Sequence, residues 1–282
     1  MKLRNLFLSL ACLLGLASFS SCSGGTQGLT TEGVLVVGME CTYAPFNWTD
    51  PQGATETNVP IANLPGAYAD GYDVQVAKII AEELNLELQI KSLEWGALIN
   101  NLNTGGIDLI IAGMSPTPER LESIDFTDMY YESTHVMLLE KSNTKYANAT
   151  KLADFAGATV IGQTGTIYAD LVEQAVAHGA VAGTNLSTVP LIVNEILNGE
   201  TDATILEEPV AMGIVSQNSE LTYVKLPEGG FQVSDEDRIV SIGVRKGFEL
   251  TDEINNVLAT KLTKEVRASL MEKAIASAPS EE

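Results

Sequence analysis

From Val34 to about residue 262 the chain alternates between short strand-like and longer helix-like stretches, which restricts it to an α/β architecture. Val34-Leu35-Val36-Val37-Gly38 is an apolar run of strand length. Val74, Ala77, Ala81 and Leu84 recur at helical spacing, with Lys78, Glu82 and Asn85 on other faces. Leu86, Leu88 and Ile90 then alternate as a half-buried strand. Trp95, Leu98, Ile99 and Leu102 form a helical stripe that Gly105-Gly106 stops, and residues 107–112 read as a core strand.

A second set of elements follows after about residue 140. Thr159-Val160-Ile161-Gly162 is a strand, residues 167–177 a helix closed by Gly179, and residues 189–197 a helix stopped by Gly199. Ala203, Ile205 and Leu206 belong to a strand ending at Glu207, and residues 239–244 form another. A last helix is expected to start at a Thr251 cap and to bury Ile254, Val257, Leu258 and Leu262. Between the sets lie Tyr130-Tyr131-Glu132-Ser133 and a β-rich run over 134–140, and a similar extended run near 230–240 returns the chain. Two such connections predict two lobes, residues 33–135 with 236–282 and residues 136–235, joined by a two-strand hinge. Residues 49–71, rich in Pro, Gly, Thr and Asn, read as a long surface loop or hairpin.

Residues 1–21 carry Lys2 and Arg4, an apolar run over 6–16 and a small-residue end, the pattern of a secretory signal peptide. The apolar run is short of the roughly 20 residues that span a bilayer. Without that segment the chain has 14 basic and 37 acidic side chains, a net charge of −23. So acidic a surface argues against nucleic acid and anionic lipid as partners, and it mildly favours cationic ligands. Cys12 leaves with the signal, so Cys41 has only Cys22 for company and reads as a buried thiol. With two histidines, His135 and His178, no metal site and no cofactor are expected.

Three strand ends carry complementary chemistry. After 107–112 comes Gly113-Met114-Ser115-Pro116-Thr117-Pro118-Glu119-Arg120, where Thr117 suits a helix cap and Pro118 a first helical position. Arg120 then offers a planar fork to a carboxylate from the opening turn. After 159–162, Gln163-Thr164-Gly165-Thr166 opens a helix whose free N–H groups suit an anion. After 203–206, Glu207-Glu208-Pro209 supplies a carboxylate for an ammonium, and an extended chain points the two acids in opposite directions. A zwitterion needs both charges matched on leaving water. Ligands of open α/β sheets bind outside the carboxyl ends of strands.

The motifs Tyr43-Ala44-Pro45-Phe46, Gly71-Tyr72-Asp73-Val74, Trp95-Gly96-Ala97-Leu98 and Ile107 through Ser115 occur in one order with Thr117-Pro118-Glu119-Arg120, Ile124-Asp125-Phe126-Thr127-Asp128, Gly165-Thr166 and Glu208-Pro209-Val210-Ala211. In that order they resemble the polar amino acid family of type II periplasmic binding proteins, the family 3 solute receptors of ABC importers. Phe19-Ser20-Ser21-Cys22 is similar to the end of a bacterial lipoprotein signal, with Phe19 where Leu is usual. Cys22 would then be the lipidated first residue, and 22–32 a tether.

The resemblance implies a free amino acid as ligand, an ABC permease as partner, a lipid anchor on an extracytoplasmic membrane face, a monomer, and no catalysis. It assigns Arg120 to the ligand carboxylate with Gly165 and Thr166, and the Gly113 carbonyl, Met114 turn and Ser115 hydroxyl to the ammonium side. Glu207 falls where the family has an aspartate, one methylene shorter, and Glu208 is its rival. Tyr43 and Trp95 would close over the side chain, and Glu40 would face its tip. Asp73 would support the loop beside the pocket, and Trp48 is either packed or in the pocket.

An acid facing two rings suits a long cationic side chain, because a guanidinium stacks on aromatic faces. Arginine is expected first, lysine next, and glutamine as the main competitor. The alternative is an extracytoplasmic enzyme of the same fold, such as a cyclohexadienyl dehydratase.

Overall fold

The computed structural model describes residues 28–279. The signal reading of 1–21, Cys22 and the tether as far as residue 27 lie outside the described residues.

β1 (Val34–Met39) is buried along nearly its whole length, as the apolar run requires of a strand covered on both faces. The next segment is a small sheet of very short strands, β2 (Thr42–Tyr43), β3 (Asn47–Thr49), β4 (Val59–Pro60) and β5 (Tyr68–Asp70), in the order β2-β3-β5-β4. The expected loop or hairpin at 49–71 is thus a small antiparallel sheet, whose two- and three-residue strands are too short to show alternation. Trp48 is 5% exposed there and packs in the core.

α1 (Tyr72–Glu83), β6 (Glu87–Ser92), a 3-10 turn Trp95–Ala97 running into α2 (Leu98–Asn103), and β7 (Leu109–Ile110) complete two β-α units. The expected 107–112 strand is shorter as a ladder, although the Asp108 and Ile111 N–H groups still bond to β1 carbonyls. α3 (Pro118–Ser123) and β8 (Asp125–Glu132) follow.

The chain then crosses through Ser133-Thr134 into β9 (His135–Glu140), β10 (Thr159–Ile161), α4 (Ile167–Ala177), β11 (Val181–Ala182), α5 (Val189–Leu197), β12 (Ala203–Glu207), α6 (Glu208–Gln217) and β13 (Leu221–Val224). β9 shows the two-residue period of a sheet covered on both faces. Val136 and Leu138 join the larger core cluster, whereas Met137 and Leu139 join a second one.

The return passes through α7 (Asp235–Arg238) into β14 (Ile239–Val244), then α8 (Thr251–Thr260) and α9 (Lys264–Ser277). Two expectations need correction here. Residues 235–238 are a helical turn rather than extended chain, because Ser234 and Asp237 form a reciprocal capping box. The final helix is two helices. Leu250 caps the first, leaving Thr251 inside it with its hydroxyl donated to the Phe248 carbonyl, and Thr263 caps the second by accepting the Val266 N–H.

The sheets run β6-β1-β7-β14-β8 and β11-β10-β12-β9-β13. In each, the strand before last is antiparallel to its neighbours, and the other pairings are parallel. These are the two Rossmann-like units read from the sequence. At the double crossing the Ser133 N–H donates to the Arg238 carbonyl at 3.0 Å, so the two connections run side by side.

One buried ion pair ties the first unit together at the end of its sheet away from the strand carboxyl ends. Asp108 is fully buried and meets Arg245 at 3.2 Å. The same carboxylate accepts from the Thr30 N–H at 2.8 Å and the Val36 N–H at 3.0 Å. Arg245 also donates to the carbonyls of Ile107 and Gly28, each at 2.7 Å.

Candidate functional site

The carboxyl ends of four parallel strands, β1, β7, β10 and β12, deliver the site from both units. β1 delivers Glu40 and then Cys41, whose φ of 59° turns the chain sharply toward Tyr43. Asn47 holds that turn by accepting the Cys41 N–H at 2.8 Å. The other end of the same amide donates to Asp73 at 2.7 Å. Asp73 also accepts from the Tyr130 hydroxyl at 2.7 Å, which in turn accepts the Gly113 N–H at 3.1 Å. A buried polar chain therefore links the Glu40–Tyr43 loop to the Gly113 loop, which matches the supporting role expected of Asp73. Burial pushes the Asp73 carboxyl up to about 7 against the pull of those donors.

Gly113 has φ 62°, and a Cβ placed there would stand 3.0 Å from the Tyr43 ring. Gly113→Ala is expected to lose about 1–2 kcal/mol from the left-handed backbone alone. It should also displace Tyr43, so thermal melts and ligand titration should both report a loss.

β7 leads through Met114 and Ser115 to Thr117, which caps α3 with Pro118 at its first position. This puts Arg120 at the third helical position, as the residue types predicted. Its guanidinium donates to the Ser115 carbonyl at 2.8 Å and the Gly165 carbonyl at 3.5 Å, and lies 5.1 Å over the Trp95 ring. Burial draws it below the usual arginine range, with Tyr168, Glu119, Asp170 and Asp237 opposing.

From the second unit, β10 leads to Thr166, which caps α4 by accepting the Tyr168 N–H at 3.2 Å. Trp95 donates its indole N–H to the Gly165 carbonyl at 2.8 Å. Gln163 donates to Glu40 at 2.9 Å and to the Ser187 carbonyl at 3.0 Å. Burial pushes the Glu40 carboxyl up to about 7; the Gln163 bond opposes this and Glu94 adds to it.

β12 ends at Glu207, which is 3% exposed. Its carboxylate accepts the Tyr43 hydroxyl from across the gap, and the Tyr168 phenol approaches that hydroxyl from the Glu207 side. The two phenol oxygens are 3.2 Å apart. Glu208 faces elsewhere, pairing with Lys225 at 2.6 Å and accepting from Thr134 at 3.0 Å. The neighbouring acids therefore diverge, and Glu207 is the one that meets Tyr43.

Glu40, Tyr43, Trp95, Gly113, Ser115, Arg120 and Thr166 surround one cavity of about 10 Å³, room for about one water molecule. Trp95, Arg120, Gly165 and Thr166 also border a wider cleft of about 700 Å³ on the outer side, where Met114 lies. Gln163 and Tyr168 join the small cavity and were not singled out by the sequence as ligand groups. A tyrosine two residues beyond the capping Thr166 was the available signal, because it falls in the first turn of the helix.

Residues 35–276 match the model of the bacterial extracellular solute-binding proteins, family 3. The chain belongs to that family. Among its relatives, the arginine-binding extracellular protein ArtP of Bacillus subtilis is 28% identical over 259 residues, covering 92% of each chain. An amino acid ABC transporter substrate-binding protein from Streptococcus pneumoniae, solved bound to L-arginine, superposes with a TM-score of 0.72. It is 28% identical and covers 86% of this chain and 94% of that one. The ancestral amino acid-binding protein AncCDT-1, a precursor of cyclohexadienyl dehydratase, gives a TM-score of 0.70 at 25% identity, covering 86% and 96%. The two-unit α/β architecture is that of these solute-binding proteins. Among the described residues, no helix is long and apolar enough to cross a membrane.

Proposed function

We propose that this family member is the extracytoplasmic receptor of an ABC importer and captures a polar L-amino acid, arginine before lysine and glutamine after them. The observation that carries the reading is the meeting, across two sheets, of a guanidinium, a helix start and a buried carboxylate. Arg120 lies beside Gly165 and Thr166, and Glu207 lies on the Tyr43 side of the same gap. Arg120 and the start of α4 would hold the ligand carboxylate. Glu207, with the Gly113 carbonyl, the Met114 turn and Ser115, would hold its ammonium. Trp95 and Tyr43 would flank the side chain, and Glu40 would meet its tip.

The enclosed space is far smaller than an amino acid. Entry therefore calls for residues 33–135 with 236–282 to part from 136–235 at the paired connections. The ligand would favour reclosure to the extent that it contacts both sides. The ArtP relationship supports the arginine preference. The divergence of Glu207 and Glu208 supports a receptor rather than an enzyme needing paired carboxylates. Cys22 would carry the lipid anchor, and the chain would act as a monomer alongside its permease.

Calorimetric titration with all twenty amino acids tests the assignment. Arginine should bind most tightly, and binding confined to acidic or aliphatic side chains would remove it. The Glu40 carboxyl adds a signature. Below about 7 it is protonated and cannot pair with a cation; above that it is ionised and can. Arginine affinity should therefore rise about tenfold between about pH 6 and about pH 8, a gain that Glu40→Gln should flatten.

A further inference from the structure

Glu40 and Gln163 stand on opposite units, just beyond the carboxyl ends of β1 and β10, and both border the small cavity. The Gln163 amide nitrogen donates to the Glu40 carboxylate at 2.9 Å and to the Ser187 carbonyl at 3.0 Å. Both side chains are buried, Gln163 at 3% exposure and Glu40 at 7%. Ser187 lies between β10 and β12 in the same unit as Gln163, so that bond aims the amide whatever the other unit does. Glu40 belongs to the other unit, so its bond exists only when the two come together. From this geometry we infer that Gln163 is a specificity-determining residue: it pairs Glu40 on closure and so lets the receptor close on amino acids whose side chains carry no cation.

The physical basis is the cost of burying a charge. A carboxylate taken out of water without a partner is strongly unfavourable. A ligand with a guanidinium at its tip would supply that partner, and a neutral side chain would not. Gln163 supplies one in either case, because its amide is already in place. The amide orientation follows from the acceptors around it: Glu40 and the Ser187 carbonyl both require a donor, so the nitrogen faces them. A carboxylate can accept from this amide and from a cation together, so Gln163 does not exclude arginine. The neighbouring charges do not take the same role. Glu94 is an acid and adds repulsion. Arg120 borders the same cavity, but its guanidinium is held on the Ser115 and Gly165 carbonyls and over the Trp95 ring.

This inference rests on the reading that Glu40 meets the ligand tip, and the experiment separates the two. The probes are L-arginine and L-norvaline, the same molecule with hydrogen in place of its guanidino group. Arginine is titrated directly and norvaline by displacement of arginine, at about pH 8, where Glu40 is ionised. The proteins are the parent, Gln163→Leu, Glu40→Gln and the double variant, with thermal melts to establish folding. Gln163→Met replaces Gln163→Leu should the latter not fold, and failure of both to fold would make the residue structural and overturn the inference. Gln163→Leu should weaken norvaline about tenfold, the size of one hydrogen bond to a charged group. Arginine should lose only about twofold, because its guanidinium still pairs Glu40. Selectivity for arginine should therefore rise about fivefold, and in the Glu40→Gln background that gain should vanish. Equal losses for both probes, or the same gain without the Glu40 charge, would overturn the inference, since general disturbance of the turn after β10 predicts no dependence on that charge. So would a parent from which norvaline displaces no arginine up to its solubility limit. If Glu40→Gln still weakens arginine more than norvaline in those cases, the tip site stands without Gln163. If Glu40→Gln leaves the ratio unchanged, or L-arginine does not bind, both ideas fall.

Discussion

Arg120→Ala should abolish most ligand binding, with an expected loss of about 3–5 kcal/mol, the range for removing one partner of a buried charge pair. The residue sits at the third position of α3, between the Ser115 and Gly165 carbonyls and over Trp95. It is a half-buried guanidinium whose neighbours are acceptors and a ring. A ligand carboxylate would complete its coordination, and without the arginine that anion would enter a largely acidic protein unpaired. Arg120→Lys should recover only part of the loss, since an ammonium keeps the charge and loses the two-pronged geometry. Calorimetry gives the affinities, and a melt confirms that each variant is folded. Parent-like affinity in Arg120→Ala would mean that the carboxylate lies elsewhere.

The second large effect concerns stability rather than binding. Asp108→Asn takes the buried carboxylate away from Arg245 and weakens the acceptor for Thr30 and Val36. The expected cost is about 3–5 kcal/mol, read as a shift of the urea midpoint without a change in slope. The double replacement Asp108→Met with Arg245→Met should cost less than the single change, because apolar groups need no desolvated partner. Ligand affinity in the surviving folded fraction should stay at the parent value, because the pair lies at the end of the sheet away from the site. A single variant as stable as the parent would remove the ion pair from the account of the fold.

Much of the site was readable because its chemistry sits where secondary structure changes. Thr117 and Thr166 are capping residue types at the ends of apolar strands, and both cap helices. Placing Arg120 one turn into a helix needed only that cap and Pro118. The divergence of Glu207 and Glu208 follows from strand geometry, but which of them faces the gap depends on the tertiary fold. The Tyr43–Glu207 contact spans 164 positions and exists only because two sheets oppose their carboxyl ends. Tyr168 was hidden for a similar reason, since a tyrosine on a helix face reads equally well as core. The break between α8 and α9 carries no glycine or proline, and Leu262 continues the apolar stripe, so the pattern ran on through it. The small sheet that begins at β2 escaped because periodicity needs more than two or three residues to register.

The hydrogen bond from Trp95 to Gly165 has a practical consequence. The whole chain holds two tryptophans, and Trp48 is buried in the larger apolar core. Trp95 alone spans the gap, its indole N–H on the opposite unit and a guanidinium on its face. Parting the units would return that indole to water. A change in intrinsic fluorescence on adding a ligand would therefore carry a contribution from this bridging indole, a built-in optical gauge of the proposed closure.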